Sequence, residues 1–317
     1  MLRRFVIRTL LFSLPVAMLW LGLEWLQRVL PMDYKEKKAT LERLAPELHT
    51  LVLGSSHTYL GVNPDLLDGP AYNMAMTAQT LYFDAFLLEK YIDSLPALRR
   101  VVLPVSYPSL GGESERYPGD YNKSYYYAFF YGSRAFTKPY SVRRYSLTAM
   151  LSIKKAVDRT WEYYMGIDDL IDFEPNGWYP SMRQKDLAEN ARNAGAFHDR
   201  YYDPALHSVN IGRLVHIIGL CQARDIELIC VSMPMWEGYL EVVQAGRYQF
   251  MVSTMDSLAA VYGVPYFNYT RDTRFGAEDY YDSNHLRREG AEKFTRILQA
   301  DIDALRAAPR AVALENS

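Results

Sequence analysis

Two short blocks carry side chains of the kinds that acyl chemistry uses. The first, Gly54-Ser55-Ser56-His57, closes the apolar run Leu51-Val52-Leu53; the second, Tyr281-Asp282-Ser283-Asn284-His285-Leu286, lies far downstream. A serine hydroxyl becomes a useful nucleophile only when a base takes its proton, and the base works best when a third group holds it in place. A carboxylate three residues before a histidine meets that need within one turn. Asp282 would hold one imidazole nitrogen of His285 while the other nitrogen faces a hydroxyl delivered by the fold. Ser56 is therefore the candidate nucleophile, His285 the candidate base and Asp282 its orienting partner. Each block alone has a plainer explanation: Gly-Ser-Ser as a strand-to-helix turn, Asp282 as a cap on the last helix. Their conjunction, in the order nucleophile, acid, base, favours a catalytic site.

Other polar residues are placed near it by position. His57 would contact substrate, donate to a developing oxyanion, or simply fill the first turn of a helix. Gln79 and Arg287 fall where the mouth of the site is expected. His49, His198, His207 and His216 stand at no metal-ligand spacing, so they are read as structural or surface residues, with no metal and no cofactor expected.

These residues need a scaffold that brings two distant strand ends together. Near-continuous apolar runs at Thr50–Ser55, Ala71–Met76, Arg100–Ser106, Glu227–Ser232 and Val264–Asn268 predict five strands buried on both faces, as in a parallel sheet. Helical patterns fall between and after them, at Leu81–Leu95, Ile211–Ala223, Leu240–Tyr262 and about Arg287–Leu305. The alternation predicts a right-handed, doubly wound α/β sheet, which carries its sites at the carboxyl edge of the strands. Beyond about residue 305 the tail to 317 looks frayed.

The amino terminus reads differently. Arg3, Arg4 and Arg8 precede an apolar core from Leu10 to Leu26, interrupted by Ser13, Pro15 and Glu24. That core is at the short end of the ~17–25 residues of a spanning helix and exceeds the ~7–15 of a signal-peptide core. With no small-x-small cleavage site after it, residues 1–30 are expected to be an uncleaved signal anchor; a cleaved signal peptide is the alternative. The arginines keep the amino terminus in the cytoplasm, and the rest faces the periplasm or the exterior. Residues 31–48 form a charged linker helix.

Residues from about 107 to 203 form an insertion too long for an ordinary connection. It is dense in tyrosine (Tyr107, Tyr117, Tyr121, Tyr125, Tyr126, Tyr127, Tyr131, Tyr140, Tyr145), with Gly111, Gly112, Gly119 and Gly132 among them. Exposed, these rings would stack on sugars; buried, they would be the core of a helical subdomain. Trp161, Trp178 and Tyr179 share the ambiguity. A net charge of −2 over 317 residues gives no basic surplus for nucleic acid. The two cysteines, Cys221 and Cys230, are expected to be buried free thiols.

Taken together, the blocks resemble those of the SGNH, or GDSL-type, hydrolase superfamily. Gly54-Ser55-Ser56 stands where that family has Gly-Asp-Ser at the end of its first strand, and Asp282-Ser283-Asn284-His285 where it has Asp-x-x-His before its last helix. The resemblance spans roughly residues 49–304 and implies a flavodoxin-like three-layer α/β/α sandwich with a five-stranded parallel sheet. Ser55 replaces the usual Asp, and the Gly-x-Asn-Asp block is absent, because strand three ends in Pro104-Val105-Ser106-Tyr107-Pro108. The family's asparagine donor to the oxyanion is thus missing; Asn73 is the candidate replacement, or else a turn-stabilising side chain. The backbone N–H of Ser56 or His57 is the other donor. A Gly-Ser-Ser block behind an anchor is more similar to the envelope branch, DltD-like or AlgJ/AlgX-like. That implies an extracytoplasmic serine esterase or O-acyltransferase acting on acyl esters, with acetyl the expected group, of a cell-envelope polysaccharide, beside a membrane-bound O-acyltransferase. The rival expectation is a non-catalytic envelope protein that binds a glycan or partner through the insertion.

Overall fold

A computed structural model describes residues 1–113 and 123–307. Tyr117, Tyr121 and Gly119 of the insertion and most of the expected tail lie outside the described residues. The helices, in chain order, are α1 (Leu2–Val29), α2 (Asp33–Leu44), α3 (Ser56–Gly61), α4 (Leu81–Tyr91), α5 (Lys123–Tyr126), α6 (Leu147–Leu151) and α7 (Ile153–Tyr164). They continue with α8 (Leu187–Tyr201), α9 (His207–Gln222), α10 (Glu237–Val242), α11 (Ala245–Tyr262) and α12 (Arg288–Ala307).

Two compact units emerge, one built within Met1–Thr40 and Pro118–Asp172, the other within Leu41–Tyr117 and Phe173–Ser317. The second unit holds a five-stranded, all-parallel sheet: β1 (Thr50–Val52), β2 (Ala71–Asn73), β3 (Arg100–Pro104), β4 (Glu227–Ser232) and β5 (Tyr266–Asn268), in the order β2-β1-β3-β4-β5. This is a doubly wound α/β fold of flavodoxin-like strand order. The order reverses between β1 and β3, which opens a crevice at their carboxyl ends. Val52, Val102, Ile229 and Val231 bury one sheet face against Phe294, Leu298 and Ile302 of α12. A two-stranded antiparallel ribbon, β6 (Tyr280–Asp282) and β7 (His285–Leu286), precedes α12.

The strands are shorter than the apolar runs predict. After Val52 the backbone leaves the ladder: Leu53 N–H still donates to Val102 O, but Gly54 N–H donates to the side chain of Asp84 (2.8 Å). β5 starts at Tyr266 rather than Val264 because Pro265 has no N–H to give to β4. The single helix expected over Leu240–Tyr262 is two, since Val243 and Gln244 are extended. Breaking there buries Val243 with Tyr107, Ala191 and Tyr239.

The insertion does not form one body. Residues 173–203 belong to the sheet-containing unit; the described residues of 118–172 belong with α1. In that first unit Tyr34 stacks on Tyr126 (5.1 Å between centroids) and meets Tyr127 edge-on, and Tyr131 donates its hydroxyl to Tyr34 O (2.9 Å). Tyr125, Tyr127 and Tyr131 are buried, as are Tyr107 and Trp178 in the second unit. Those rings are interior packing rather than a sugar-stacking surface; Tyr140, Tyr145 and Trp161 remain exposed. Cys221 and Cys230 are buried free thiols, and burial pushes both up to about 12.

Candidate active site

Ser56 opens α3 directly after β1, at the carboxyl edge of the sheet and at the β1/β3 reversal. The turn that delivers it is tight. Gly54 sits at φ +113°, Met76 N–H donates to Gly54 O (3.1 Å), and Thr58 Oγ1 donates back to Leu53 O (2.7 Å). His285 and Asp282 come from the turn of the β6–β7 ribbon. There Asp282 Oδ1 accepts from the N–H groups of Asn284 (3.2 Å) and His285 (3.1 Å), which fixes both the loop and the carboxylate.

The three side chains form one line. Ser56 Oγ lies 2.7 Å from His285 Nε2, and His285 Nδ1 lies 2.8 Å from Asp282 Oδ1. With Nδ1–H donated to the carboxylate, Nε2 is free to accept the serine proton. Burial alone would raise the Asp282 carboxyl. The His285 charge and hydrogen bond, the Asn284 amide and Lys185, whose Nζ is 3.7 Å from Oδ2, outweigh it and hold the group below the usual range. The carboxylate therefore stays ionised through neutral pH. Asp282→Asn would leave a side chain that can hold His285 in the wrong tautomer, and is expected to lower turnover by roughly 10³–10⁴ with binding little changed; steady-state kinetics on an activated ester checks this.

Asn73, Gln79 and His57 all lie in the interior; His57 fills the first turn of α3 and Asn73 stabilises a turn, the plainer of the roles expected for each, while Gln79 is not at a mouth. Asn73 is fully buried, with Nδ2 donating to Thr58 O (2.8 Å) and Val62 O (3.0 Å) and Oδ1 accepting from Ala75 N–H. Both amide hydrogens are spent on carbonyls of α3 and its C-cap, so Asn73 braces the helix that carries Ser56 and does not face an oxyanion. Gln79 is buried and donates to Asp84 Oδ1 (2.6 Å), beneath Gly54 and not at a mouth. His57 is buried too, its Nδ1 2.6 Å from Ser106 Oγ and its Nε2 3.1 Å from Asn284 Nδ2. Since the amide must donate, Nε2 accepts and Nδ1 carries the proton toward Ser106. Burial first, then the charge of His285, depress His57 well below its ordinary value, so it is a neutral packing partner of His285, 5.0 Å away between ring centroids. Arg287 pairs with Glu289 (3.1 Å).

Several neighbours of the site carried no local signal in the sequence. His198 of α8, read as structural or surface, is held by Tyr239 (2.7 Å); burial and then the His285 charge push it down to about 4, which keeps it neutral. Asn190 Oδ1 accepts from both N–H and Oγ of Ser283 (3.1 and 2.7 Å), so α8 clamps the Asp282–His285 turn from outside.

Asp84 is the other titratable group built into the turn. Burial raises its carboxyl to about 7 despite the hydrogen bonds from Gln79 and Gly54. A raised carboxyl favours the folded state most below its unfolded value of ~3.9, and that contribution is lost as pH rises through ~7. Asp84→Asn keeps the acceptor without the charge. Its thermal midpoint is expected to match the parent near pH 4 and to exceed it by pH 8, the gap corresponding to a few kcal/mol (about 1.4 per unit); melting curves across that range measure it.

No protein-family model matches the chain, and no curated protein does. Among solved structures it is similar to a Bacteroides fragilis protein assigned provisionally as an acylhydrolase, with a TM-score of 0.42 and 13% identity over 84% of this chain and 94% of that one. It is also similar to a GDSL-like lipase of Bacteroides thetaiotaomicron, TM-score 0.42 and 12% identity over 86% and 99%.

Proposed function

We propose that this chain is a membrane-tethered serine acyl-ester enzyme. The observation that carries the reading is the unbroken hydrogen-bond line from Ser56 Oγ through His285 to Asp282. In the first half-reaction Ser56 Oγ attacks the ester carbonyl while His285 Nε2 takes its proton, and Asp282 stabilises the imidazolium. The oxyanion falls to the first-turn N–H groups of Ser56 and His57, which have no carbonyl partner within α3. His285 returns the proton to the departing alkoxide, leaving an acyl-enzyme on Ser56. A water or a sugar hydroxyl, deprotonated by the same nitrogen, then releases the acyl group.

The resemblance to envelope-anchored acyl enzymes and the apolar amino-terminal helix support a periplasmic or extracellular site and an O-acylated envelope polysaccharide as substrate or acceptor. α1, 28 residues, is long and apolar enough to cross a membrane. The test is labelling with a fluorophosphonate, which reports an activated serine without knowledge of substrate. Full-length protein in detergent is the right sample, because Glu24 and Gln27 of α1 bond to residues 146–148, 156 and 160 and removing α1 would strip those contacts. Labelling lost in both Ser56→Ala and His285→Ala supports the reading; labelling unchanged in either overturns it. Adding acetylated polysaccharide with and without an unacetylated acceptor then separates hydrolysis from transfer.

A further inference from the structure

The unit built on α1 leaves an apolar face uncovered. α7 shows it best: Ile153, Val157, Trp161 and Tyr164 are 58%, 50%, 62% and 62% exposed. At roughly 100° per residue these four fall within an arc of roughly 80°. Ala156 and Thr160, which lie immediately to one side of that arc, are the residues that bond to α1: Gln27 Nε2 donates to Ala156 O (3.0 Å) and to Thr160 Oγ1 (2.9 Å). On the other side stand Lys154, Asp158 and Glu162, the polar face. The uncovered stripe is thus flush with the anchor helix, not turned away from it.

Depth follows from what α1 bonds to. The side-chain bonds that tie α1 to residues 145–160 come from its carboxyl-terminal end, where Glu24 accepts from Ser146 Oγ and the N–H groups of Leu147 and Thr148, and Arg28 donates to Tyr145 O. The rest of α1 carries exposed apolar side chains such as Leu10, Leu14 and Leu19. A spanning α1 therefore sets α6 and α7 at the level where hydrocarbon gives way to headgroups. Nearby, Tyr140, Val142 and Tyr145 are also exposed, as expected of an interfacial aromatic belt. Charge points the same way. From residue 123 to 157 the chain has Lys123, Arg134, Lys138, Arg143, Arg144, Lys154 and Lys155 and no Asp or Glu at all.

We propose that this face rests in the interface of an anionic bilayer, with the α7 stripe among the upper acyl chains and the lysines and arginines on lipid phosphates. The inference rests on α1 spanning the membrane. An amphipathic helix of this type binds by its buried apolar area together with attraction to anionic lipid. Residues 123–172 then fix the tilt and rotation of the anchor, which a lone helix leaves free.

Spin labels on single introduced cysteines in the full chain test it, in nanodiscs of phosphatidylethanolamine and phosphatidylglycerol. The parent protein sets the background, since Cys221 and Cys230 are buried. Labels at Val157→Cys and Trp161→Cys are expected to collide with oxygen and to be shielded from a water-soluble nickel complex, while Glu162→Cys shows the reverse. Nickel access at Val157 and Trp161 equal to that at Glu162 would overturn the proposal, as would shielding from both reagents, which marks a protein covering the stripe. Leu14→Cys reads the anchor separately: nickel access there fails the spanning reading and the inference with it, whereas lipid exposure at Leu14 with a wet stripe fails the inference alone. Replacing phosphatidylglycerol with phosphatidylcholine should make the Trp161 label shallower; an unchanged depth would overturn the anionic part.

Discussion

Ser56→Ala is expected to lower acyl-ester turnover by roughly 10³–10⁶ while leaving the melting behaviour of the protein nearly unchanged. The side chain is half-buried and bonds to His285 Nε2, so its removal opens no core cavity and strands no buried polar group. On the proposed mechanism, what is lost is the atom that forms the covalent intermediate. His285→Ala should fall to a similar level, because a hydroxyl without a base is as inert as no hydroxyl. The double variant should be no worse than either single one, since parts of one relay are not additive. Turnover of a small activated ester, with intact mass to detect the acyl adduct, reads all three. An adduct that survives Ser56→Ala would move the nucleophile elsewhere; a double variant far below both singles would show two independent routes.

What the sequence made legible was local or periodic. The spacing from Asp282 to His285 lies within a turn, and the turn is closed by hydrogen bonds of Asp282 to its own next residues, so its geometry needs nothing distant. The position of Ser56 after an apolar run needs only the strand. Buried parallel strands show themselves as continuous apolar runs, which is why all five were found, with ends overextended where side chains rather than ladders take the backbone N–H groups. The assignments that failed depended on where distant backbone lies. Nothing near Asn73 in the chain announces that its amide will meet the carbonyls of Thr58 and Val62, nor does anything near Gln79 announce a buried carboxylate at Asp84. The tyrosines of the insertion are ambiguous in sequence for the same reason: Tyr127 and Tyr131 are buried against Tyr34, ahead of the whole sheet in sequence, and Tyr107 against Tyr239 and Val243, far downstream of Tyr107. His198 and Asn190 reach the site only because α8 folds back onto α10 and the Asp282–His285 turn.

The largest expected loss of stability comes from Gly54→Ala. Gly54 holds φ +113°, a region that L-residues enter only at a cost of roughly 1–2 kcal/mol. Crowding adds to this. A Cβ there would stand 2.0 Å from Pro104 Cγ, 2.4 Å from Pro104 Cδ and 2.7 Å from Thr58 Oγ1. Neither neighbour can retreat: Pro104 is a rigid ring in the fully buried β3, and Thr58 Oγ1 is tied to Leu53 O. Overpacking of this kind costs a further ~1–3 kcal/mol, and the sum is a large share of the ~5–15 kcal/mol that holds a domain folded. Gly263 supplies the comparison within the same unit. It ends α11 at φ +67°, yet a Cβ there meets nothing within 4 Å, so Gly263→Ala should cost only the conformational part, ~1 kcal/mol. A matched pair of melting curves separates crowding from backbone strain, and equal losses would reject the steric argument. Any folded fraction of Gly54→Ala carries a second consequence. Relief of the clash must move the turn that precedes Ser56, and a displacement of about 1 Å from His285 Nε2 is enough to cost on the order of 10² in turnover. Fluorophosphonate labelling of that fraction should therefore be slow, while folded Gly263→Ala labels at the parent rate.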